Sequence, residues 1–184
     1  MSAALAVAAA GGALTWTFLE YVIHRWLGHD RRFRGNPFGV EHVRHHAEGN
    51  YFAPTAKKLA LAAIVAVVVG APAALLGGGV AVAWLAGLLL AYGAYEVFHR
   101  REHTHPGIGR YGRWLRAHHF HHHFVDPRSN HGVTSPLWDV VFGTYQRTGH
   151  IAVPRKLAMP WLLDGAGALR AAHAGRYSLR EGKR

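Results

Sequence analysis

Histidine carries the chemistry that this sequence suggests. The chain has 184 residues, of which 16 are histidine and none is cysteine. Ten histidines fall into four clusters at ligand spacing: His24 and His29; His42, His45 and His46; His99 and His103; His119, His122 and His123. Neutral imidazole is a common metal ligand, and ten imidazoles are more than one tetrahedral zinc ion can use. The clusters therefore predict a site for two metal ions.

The spacing within three clusters suits α-helices, because residues three or four apart share one face. His24 and His29 are five apart, about 140° round a regular helix, and cannot share a face there. We expect the first helix to end near His24, broken at Gly28, with His29 returning from the loop. The last cluster has a second register, since His118, His121 and His122 also read H-x-x-H-H. Spacing does not decide between the two registers.

Carboxylates are expected to fix the imidazoles, because a ligating histidine usually donates its second N–H to an outer acceptor. Five acidic residues are close to the clusters in sequence: Glu20, Glu41, Glu96, Glu102 and Asp126. Glu96 is the strongest candidate. It lies just inside an apolar segment, where an unpaired carboxylate would be costly.

Long apolar segments separate the clusters. Residues 1–19 have no charged side chain, and residues 59–95 form an uncharged run of 37. About 20 apolar residues cross the hydrocarbon layer, so the second run is long enough to cross twice. A turn is expected within residues 70–79, which contain Gly70, Pro72 and three consecutive glycines at 77–79. The predicted helices cover residues 3–23, 57–75 and 79–100. The predicted fold is an all-α integral membrane protein with about three transmembrane helices.

Basic residues set the expected orientation. They lie beside the apolar segments: Arg25, Arg31, Arg32 and Arg34; Lys57 and Lys58; Arg100 and Arg101. By the positive-inside rule, the N-terminus and the turn face outward. All four clusters then lie on the cytoplasmic side, in a cap of short and interfacial helices. The formal net charge is +11, but the basic residues flank apolar segments and no nucleic-acid motif occurs, which excludes nucleic-acid binding.

The chain is expected to have two parts. Residues 1–150 form the histidine-box membrane domain, and residues 151–184 form a basic amphipathic C-terminal segment. Aromatic residues scattered among basic ones in the second half of the chain suit helices that lie on the membrane surface.

Two further stretches complete a family resemblance. They are YEVFHRREHT at residues 95–104 and GVTSPLWD at residues 132–139, the latter followed by FGT at residues 142–144. With the order of the four clusters, and the hairpin between the second and third, the chain resembles the fatty acid hydroxylase superfamily over about residues 15–147. That superfamily includes sterol desaturases, fatty acyl and sphingolipid hydroxylases, and carotenoid hydroxylases.

The resemblance implies a membrane-bound diiron oxygenase, an oxidoreductase that hydroxylates an unactivated C–H bond of a fatty acyl or sphingolipid-like chain with O2 and two electrons. It makes all ten clustered histidines ligands of two iron ions, which zinc is expected to replace in purified protein. In the family pattern, the number of residues between the last cluster and Gly132 favours His119, His122 and His123 as the ligands, with His118 and His121 beside them. Glu96 and His131 are further candidates, although a plain loop position is the preferred interpretation of His131.

The resemblance also implies partners and a location. The lipid substrate lies in the membrane, and a separate ferredoxin or cytochrome b5-like protein is expected to supply electrons. The composition, rich in Ala, Gly and Arg, favours a bacterial inner membrane. The small size is consistent with a short substrate tunnel, or with a homo-oligomer that completes one.

Several alternatives stay open. A carotenoid β-ring hydroxylase is similarly short, and a sterol-type desaturase or oxidase begins with the same hydrogen abstraction. His99, Glu102 and His103 also match the inverted zinc-protease motif H-x-x-E-H, but a membrane zinc hydrolase leaves eight histidines unexplained. A metal transporter would need ionisable groups within its helices, and residues 59–95 have none beyond tyrosine. The spacing of His99 and His103 favours the fatty acid branch.

Overall fold

The computed structural model describes residues 2–33 and 35–181 and is mostly helical. The α-helices are α1 (Ala3–Val22), α2 (Pro37–Glu48), α3 (Thr55–Val65), α4 (Ala71–Thr104), α5 (Gly109–Phe124) and α6 (Leu137–Val141). π-helical turns follow α1 (Ile23–Gly28) and α3 (Ala66–Gly70), and 3-10 turns cover Arg31–Phe33, Arg155–Leu157, Pro160–Leu162 and Ala171–His173. Strands β1 (Ile151–Pro154) and β2 (Tyr177–Arg180) pair in parallel. Arg34 of the predicted basic flank and residues 182–184 of the predicted C-terminal segment lie outside the described residues.

The chain forms two compact units. The first, here called the helical unit, comprises Met1–Glu20 and Ala53–Val97. The second, here called the histidine unit, comprises Tyr21–Phe52 and Phe98–Arg184.

The long apolar segment of the helical unit folds back on itself at Gly78. This residue has φ 55° and ψ −143° inside α4, a conformation that glycine adopts at little cost because it lacks a β-carbon. Contacts on the two sides are symmetrical about it: Gly70 lies against Leu85, and Lys58 forms an ion pair with Glu96. The prediction of a turn within residues 70–79 is confirmed, and the structure places it at Gly78.

Helix α1 packs closely along the second half of α4. Gly12 lies against the backbone of Trp84, and Gly87 lies against the backbone of Ala9. Neither glycine has room for a β-carbon. Such close approach at small residues is how helices associate in membranes.

Two helical stretches, Ala3–Gly28 and the 50-residue Thr55–Thr104, are long and apolar enough to cross a membrane. Their apolar side chains face outward: Leu75 and Leu76 are 87% and 90% exposed. A soluble domain buries most leucines of such a hairpin in its core. The exposure therefore indicates helices that meet lipid, as expected of a membrane protein.

Residues 151–181 form a small sheet and short turns, so the prediction of all-α structure with amphipathic surface helices is wrong here. Every second residue of β1, Ile151 and Val153, is buried, which is the two-residue period of a strand. Pro154 and Pro160 would interrupt a continuous helix in this segment. The buried core joins this segment to α5 and consists of Ala117, Phe120, Ile151, Val153, Met159, Leu162 and Tyr177. The segment is thus a folded part of the histidine unit.

The C-terminal segment and α5 together cap the end of α4. Trp161 Nε1 donates to the carbonyl of His103 at 3.0 Å. Arg116 Nε donates to the carbonyl of Glu102 at 2.8 Å, and Arg116 Nη2 donates to that of Arg101 at 3.0 Å. The last carbonyls of a helix have no partners within it. These donors therefore stabilise the helix end that carries the third histidine cluster.

Candidate metal centre

Ten histidines converge in the histidine unit as two groups of five. The first group, centre A, consists of His24, His29, His42, His46 and His122. The second group, centre B, consists of His45, His99, His103, His119 and His123. Within each group the ligand-capable nitrogens, one per residue, lie within 4.8 Å of one another. These are the ten histidines of the four sequence clusters.

The two centres are adjacent because α2 and α5 contribute to both. On α2, His42 and His46 are four apart and share a face that reaches centre A. His45 is about 100° round the helix from His46 and reaches centre B. The rings of His46 and His123, one from each centre, stack with centroids 4.0 Å apart.

A π-helical turn explains how His24 and His29 reach the same centre. In a π-helix the hydrogen bond joins residues five apart rather than four, so each turn is wider. The turn over Ile23–Gly28 follows α1 directly, with His29 at its C-cap. The ring centroids of His24 and His29 are 5.2 Å apart. The α-helix ends at Val22, close to the predicted end near His24, but the chain continues to Gly28 as a π-helical turn and not as the expected loop.

Asn36 fixes the start of α2 against this turn. Its side-chain oxygen accepts from the backbone N–H of Gly39 at 2.9 Å, and its Nδ2 donates to the carbonyl of Leu27 at 2.8 Å. An asparagine N-cap followed by Pro37 is a favourable helix start. The cap therefore sets the distance between the π-turn and the histidines of α2.

Within each centre, Nε2 atoms of different histidines point at one another. In centre A, His29 Nε2 lies 2.8 Å from Nε2 of His42 and 2.8 Å from Nε2 of His122. In centre B, Nε2 of His45 and His99 are 3.0 Å apart. A neutral imidazole has one N–H and one lone pair. Converging lone pairs of this kind form a donor set for a cation.

Backbone carbonyls hold the outer nitrogens of three of these rings. Nδ1 of His24 lies 2.5 Å from the carbonyl oxygen of His131. Nδ1 of His45 lies 2.7 Å from that of Tyr51, and Nδ1 of His122 lies 2.7 Å from that of Ser129. A carbonyl only accepts, so Nδ1 carries the proton and Nε2 presents its lone pair to the centre. The tautomer of each ring is the one that a metal ligand needs.

Other buried nitrogens also favour a metal. Nε2 of His24, Nε2 of His46 and both ring nitrogens of His123 have no hydrogen-bond partner among the described residues. Leaving a buried polar atom unsatisfied costs about 1–3 kcal/mol. A metal ion in each centre would satisfy Nε2 of His24, Nε2 of His46 and one of the two ring nitrogens of His123, so the residues present fit two ions.

A family comparison agrees with this geometry. A model of the fatty acid hydroxylase family matches residues 9–144. The chain belongs to the fatty acid hydroxylase family. The match covers all ten histidines of the two centres, and the predicted resemblance is confirmed.

Several known proteins are similar to this chain. The dihydroceramide fatty acyl 2-hydroxylase FAH2 of Arabidopsis thaliana is 32% identical, with 72% of this chain and 58% of that protein covered. The fatty acid 2-hydroxylase of Mus musculus is 33% identical, with 72% and 38% covered. A solved structure of full-length scs7p, in which only the hydroxylase domain is visible, is 31% identical with a TM-score of 0.63, covering 78% of this chain and 56% of that one. The chain spans about three fifths of the plant relative.

Several histidines of the two centres are held neutral by their surroundings. Burial, followed by the nearby His131, lowers the pKa of His29 from 6.5 to about 4. Burial also lowers the pKa of His42, His119 and His122 well below 6.5, and neighbouring imidazoles add to the effect. Neutral rings at physiological pH are ready to bind metal without first losing a proton.

These pKa values predict that acid destabilises the metal-free protein. In the unfolded chain histidine protonates near pH 6.5, whereas His29 in the folded chain does so only near pH 4. Between these values the unfolded chain binds more protons, so the free energy of unfolding decreases as the pH falls from about 6.5 towards 4. Above about pH 7 both states are neutral and the dependence disappears. Thermal unfolding of metal-free protein in detergent, from about pH 8 to pH 5, measures this.

The control for the acid effect is His29→Gln, which removes one of the suppressed protonations. Its Tm is expected to decrease less on acidification than that of the wild type. A wild-type Tm that stays constant or increases below about pH 6.5 would contradict the neutral state of these rings.

The structure distinguishes the two registers of the last cluster. His119, His122 and His123 lie in the centres, whereas His118 and His121 lie in neither. His118 is turned away, with Nε2 3.3 Å from a carboxylate oxygen of Asp139. The placement therefore favours His119, His122 and His123 as the ligands.

His131 lies beside centre A without joining it. Its ring centroid is 5.2 Å from that of His122 and 5.6 Å from that of His24. Its contact with His24 uses the backbone carbonyl, a function that any residue type provides. His131 lies outside the helices and strands, as the preferred loop interpretation expects, but its buried ring lies beside centre A, which agrees with the alternative of a residue that lines the site.

The predicted carboxylate acceptors mostly have other partners. Glu41 bonds the hydroxyl of Tyr51, Glu96 pairs with Lys58, and Asp126 pairs with Arg128. Glu102 Oε2 approaches a histidine, at 3.9 Å from Nδ1 of His119. The pairing of Glu96 with Lys58 of the same unit offsets the cost of its charge, the cost on which the expectation for Glu96 rested.

Proposed function

We propose that this chain is a membrane-bound diiron oxygenase that hydroxylates an unactivated C–H bond in the acyl chain of a fatty acyl or ceramide-type lipid. The convergence of ten histidines into two adjacent centres, in a chain of the fatty acid hydroxylase family, is the observation that carries this proposal. The names of the relatives, dihydroceramide fatty acyl 2-hydroxylase and fatty acid 2-hydroxylase, support carbon 2 of the acyl chain as the position of reaction.

Two irons held by these histidines would supply the chemistry that side chains lack, in which O2, two electrons and two protons convert the C–H bond to C–OH and release water. The protein would hold five imidazoles around each ion, and backbone carbonyls set the tautomers of His24, His45 and His122. His119 and His122 are fully buried, and burial on this scale excludes bulk water from the reacting groups.

The membrane arrangement follows from the same segments. We propose three crossings: Ala3–Gly28, and the two halves of Thr55–Thr104 on either side of Gly78. The basic residues beside these segments support a cytoplasmic location of the histidine unit, with the N-terminus outside. Electrons would come from a ferredoxin or cytochrome b5-like protein, and a bacterial inner membrane is the proposed location.

The test is hydroxylation by detergent-purified protein reconstituted with Fe(II). With a chemical reductant, 18O2 and a dihydroceramide deuterated at carbon 2, we expect about two irons per chain and a 2-hydroxy product that contains 18O and has lost one deuterium. The His122→Ala, His123→Ala double variant serves as the control and should have neither activity nor full iron content.

Other products would decide between the alternatives. Hydroxylated β-carotene, with no lipid product, would favour a carotenoid hydroxylase. A desaturated acyl chain would favour a desaturase. One tightly held zinc ion together with hydrolysis, and no oxygen uptake after iron loading, would favour a zinc hydrolase.

A further inference from the structure

Asp139 is a fully buried carboxylate outside both centres, and four donors surround it. The backbone N–H groups of His131 and Gly132 each donate to one of its oxygens at 2.8 Å. Thr144 Oγ1 donates at 2.7 Å, and Nε2 of His118 lies 3.3 Å away. Burying a charge without partners is costly, so this arrangement is specific to a carboxylate.

The first two of these bonds lead directly to centre A. They fix the peptide groups on both sides of the His131 α-carbon. The carbonyl of His131 is the acceptor for Nδ1 of His24. Asp139 thus determines where that carbonyl lies, and the carbonyl determines how the His24 ring is oriented.

The third bond leads to His24 by another route. Thr144 has one hydroxyl proton and directs it to Asp139, so its oxygen accepts from Tyr21 OH, 3.0 Å away. Tyr21 OH in turn accepts from Arg25 Nη1 at 2.7 Å. Tyr21 precedes His24 by three residues, and Arg25 follows it directly. The chain of bonds therefore holds the backbone on both sides of His24.

Asp139 is ionised in this environment. Burial raises the pKa of the carboxyl, but hydrogen bonds from His118, Thr144 and the two backbone N–H groups lower it, and the resulting pKa lies below the ordinary value for aspartate. A negative acceptor makes stronger hydrogen bonds than a neutral amide of the same shape.

We propose that Asp139 is the positioning residue of centre A: through the His131 peptide and the Thr144–Tyr21–Arg25 chain it orients His24 and so tightens the metal ion held there. This inference rests on the proposed metal centres. Centre B takes an outer contact elsewhere, from the carbonyl of Tyr51 to His45, so the effect of Asp139 is selective for centre A.

The test is metal binding by Asp139→Asn. The amide is isosteric, but its NH2 group faces donors and cannot accept from them. Fe(II) titration against a competing chelator should find two ions in the wild type. In the variant one ion is expected to bind about 10 to 100 times more weakly, the usual cost of removing an outer partner of a metal ligand, while the other is unchanged. Mössbauer spectra should show one iron signal altered and one retained.

Variant backgrounds identify the affected centre. In a His24→Ala background, Asp139→Asn should add little, because His24 is the ligand through which it acts. In a His99→Ala background, which weakens centre B, Asp139→Asn should weaken the ion that remains by the same factor of about 10 to 100. Asp126→Asn, which changes a carboxylate paired with an exposed arginine, is the matched control and should bind both ions as the wild type does.

A milder variant tests the inference if the Asp139→Asn protein does not fold. Thr144→Val removes one donor and interrupts the path to Tyr21, so a smaller weakening of the same ion is expected. Two ions bound with unchanged affinity in these variants would overturn the inference alone, as would equal weakening of both centres. A wild-type chain that takes up fewer than two ions would overturn the proposed function together with it.

Discussion

Replacing His29 with alanine is expected to remove one of the two proposed irons and to lower the proposed lipid hydroxylation more than about a hundredfold. Its Nε2 atom lies 2.8 Å from Nε2 of both His42 and His122, so His29 contacts two other histidines of centre A. Loss of an outer partner of a ligand already costs about 10 to 100 times in affinity or activity, and loss of a ligand costs more. Iron content by mass spectrometry and 18O incorporation into the lipid measure the two effects.

His29 is a suitable position because its side chain is only partly buried. Truncation there leaves a smaller cavity than at fully buried His119 or His122, so the fold should survive. His105→Ala is the matched control: His105 is exposed, lies two residues from a centre B histidine and belongs to neither centre. A His29→Ala protein with two irons and nearly full activity would remove His29 from the ligand set.

The histidine groups could be predicted from the sequence because two general regularities apply to them. Helical spacing puts residues such as His42 and His46 on one face, and the apolar hairpin returns the chain between His46 and His99. The turn at Gly78 was predictable as well, since glycine clusters interrupt the apolar run there. Regular periods and apolar lengths are properties that a sequence displays directly.

The π-turn could not be predicted in this way. A five-residue spacing of histidines conflicts with a regular helix, and the sequence offers two solutions: a broken helix or a widened one. The choice depends on packing against α2, where Asn36 bonds the carbonyl of Leu27. Contacts between segments distant in sequence determine such local backbone geometry.

The outer partners of the ligands were missed for a different reason. Carboxylates near the clusters were the expected acceptors, but the carbonyls of Tyr51, Ser129 and His131 occupy the positions found. Every residue has a carbonyl, so no residue type marks this function. Asp139 belongs to the family-like stretch, but its contact with the centre is indirect, through two peptide groups, and spacing does not reveal it.

Centre A has an open side, which determines how it responds to small changes. A cleft of about 230 Å³ lies beside it, lined by Gly28, His29, His42, Val43, His46 and Pro127. The ring of His42 can therefore move if a neighbouring atom displaces it. Centre B histidines are buried except for His123, which is partly buried, and have less freedom of this kind.

Gly28→Ala is consequently expected to impair function without unfolding the protein. A β-carbon at Gly28 would lie 2.8 Å from Cδ2 and 3.2 Å from Nε2 of His42, closer than unbonded atoms normally approach, so the ring must shift towards the cleft. A displacement of about 1 Å at a reacting centre can lower a rate about a hundredfold. Alanine also favours helical backbone over glycine by about 0.5–1 kcal/mol, so stability should be kept or slightly increased.

The measurement pairs iron content and hydroxylation with thermal unfolding in detergent. Gly149→Ala is the matched control, since a β-carbon there meets nothing within 4 Å, and it should behave as the wild type. A double variant separates the steric cause from other effects. If contact with the His42 ring is responsible, the Gly28→Ala, His42→Ala protein should have the same iron content and rate as His42→Ala alone. A Gly28→Ala protein with unchanged iron affinity and rate would show that the His42 ring does not need its position against Gly28, and His42 would then lose its assignment to centre A.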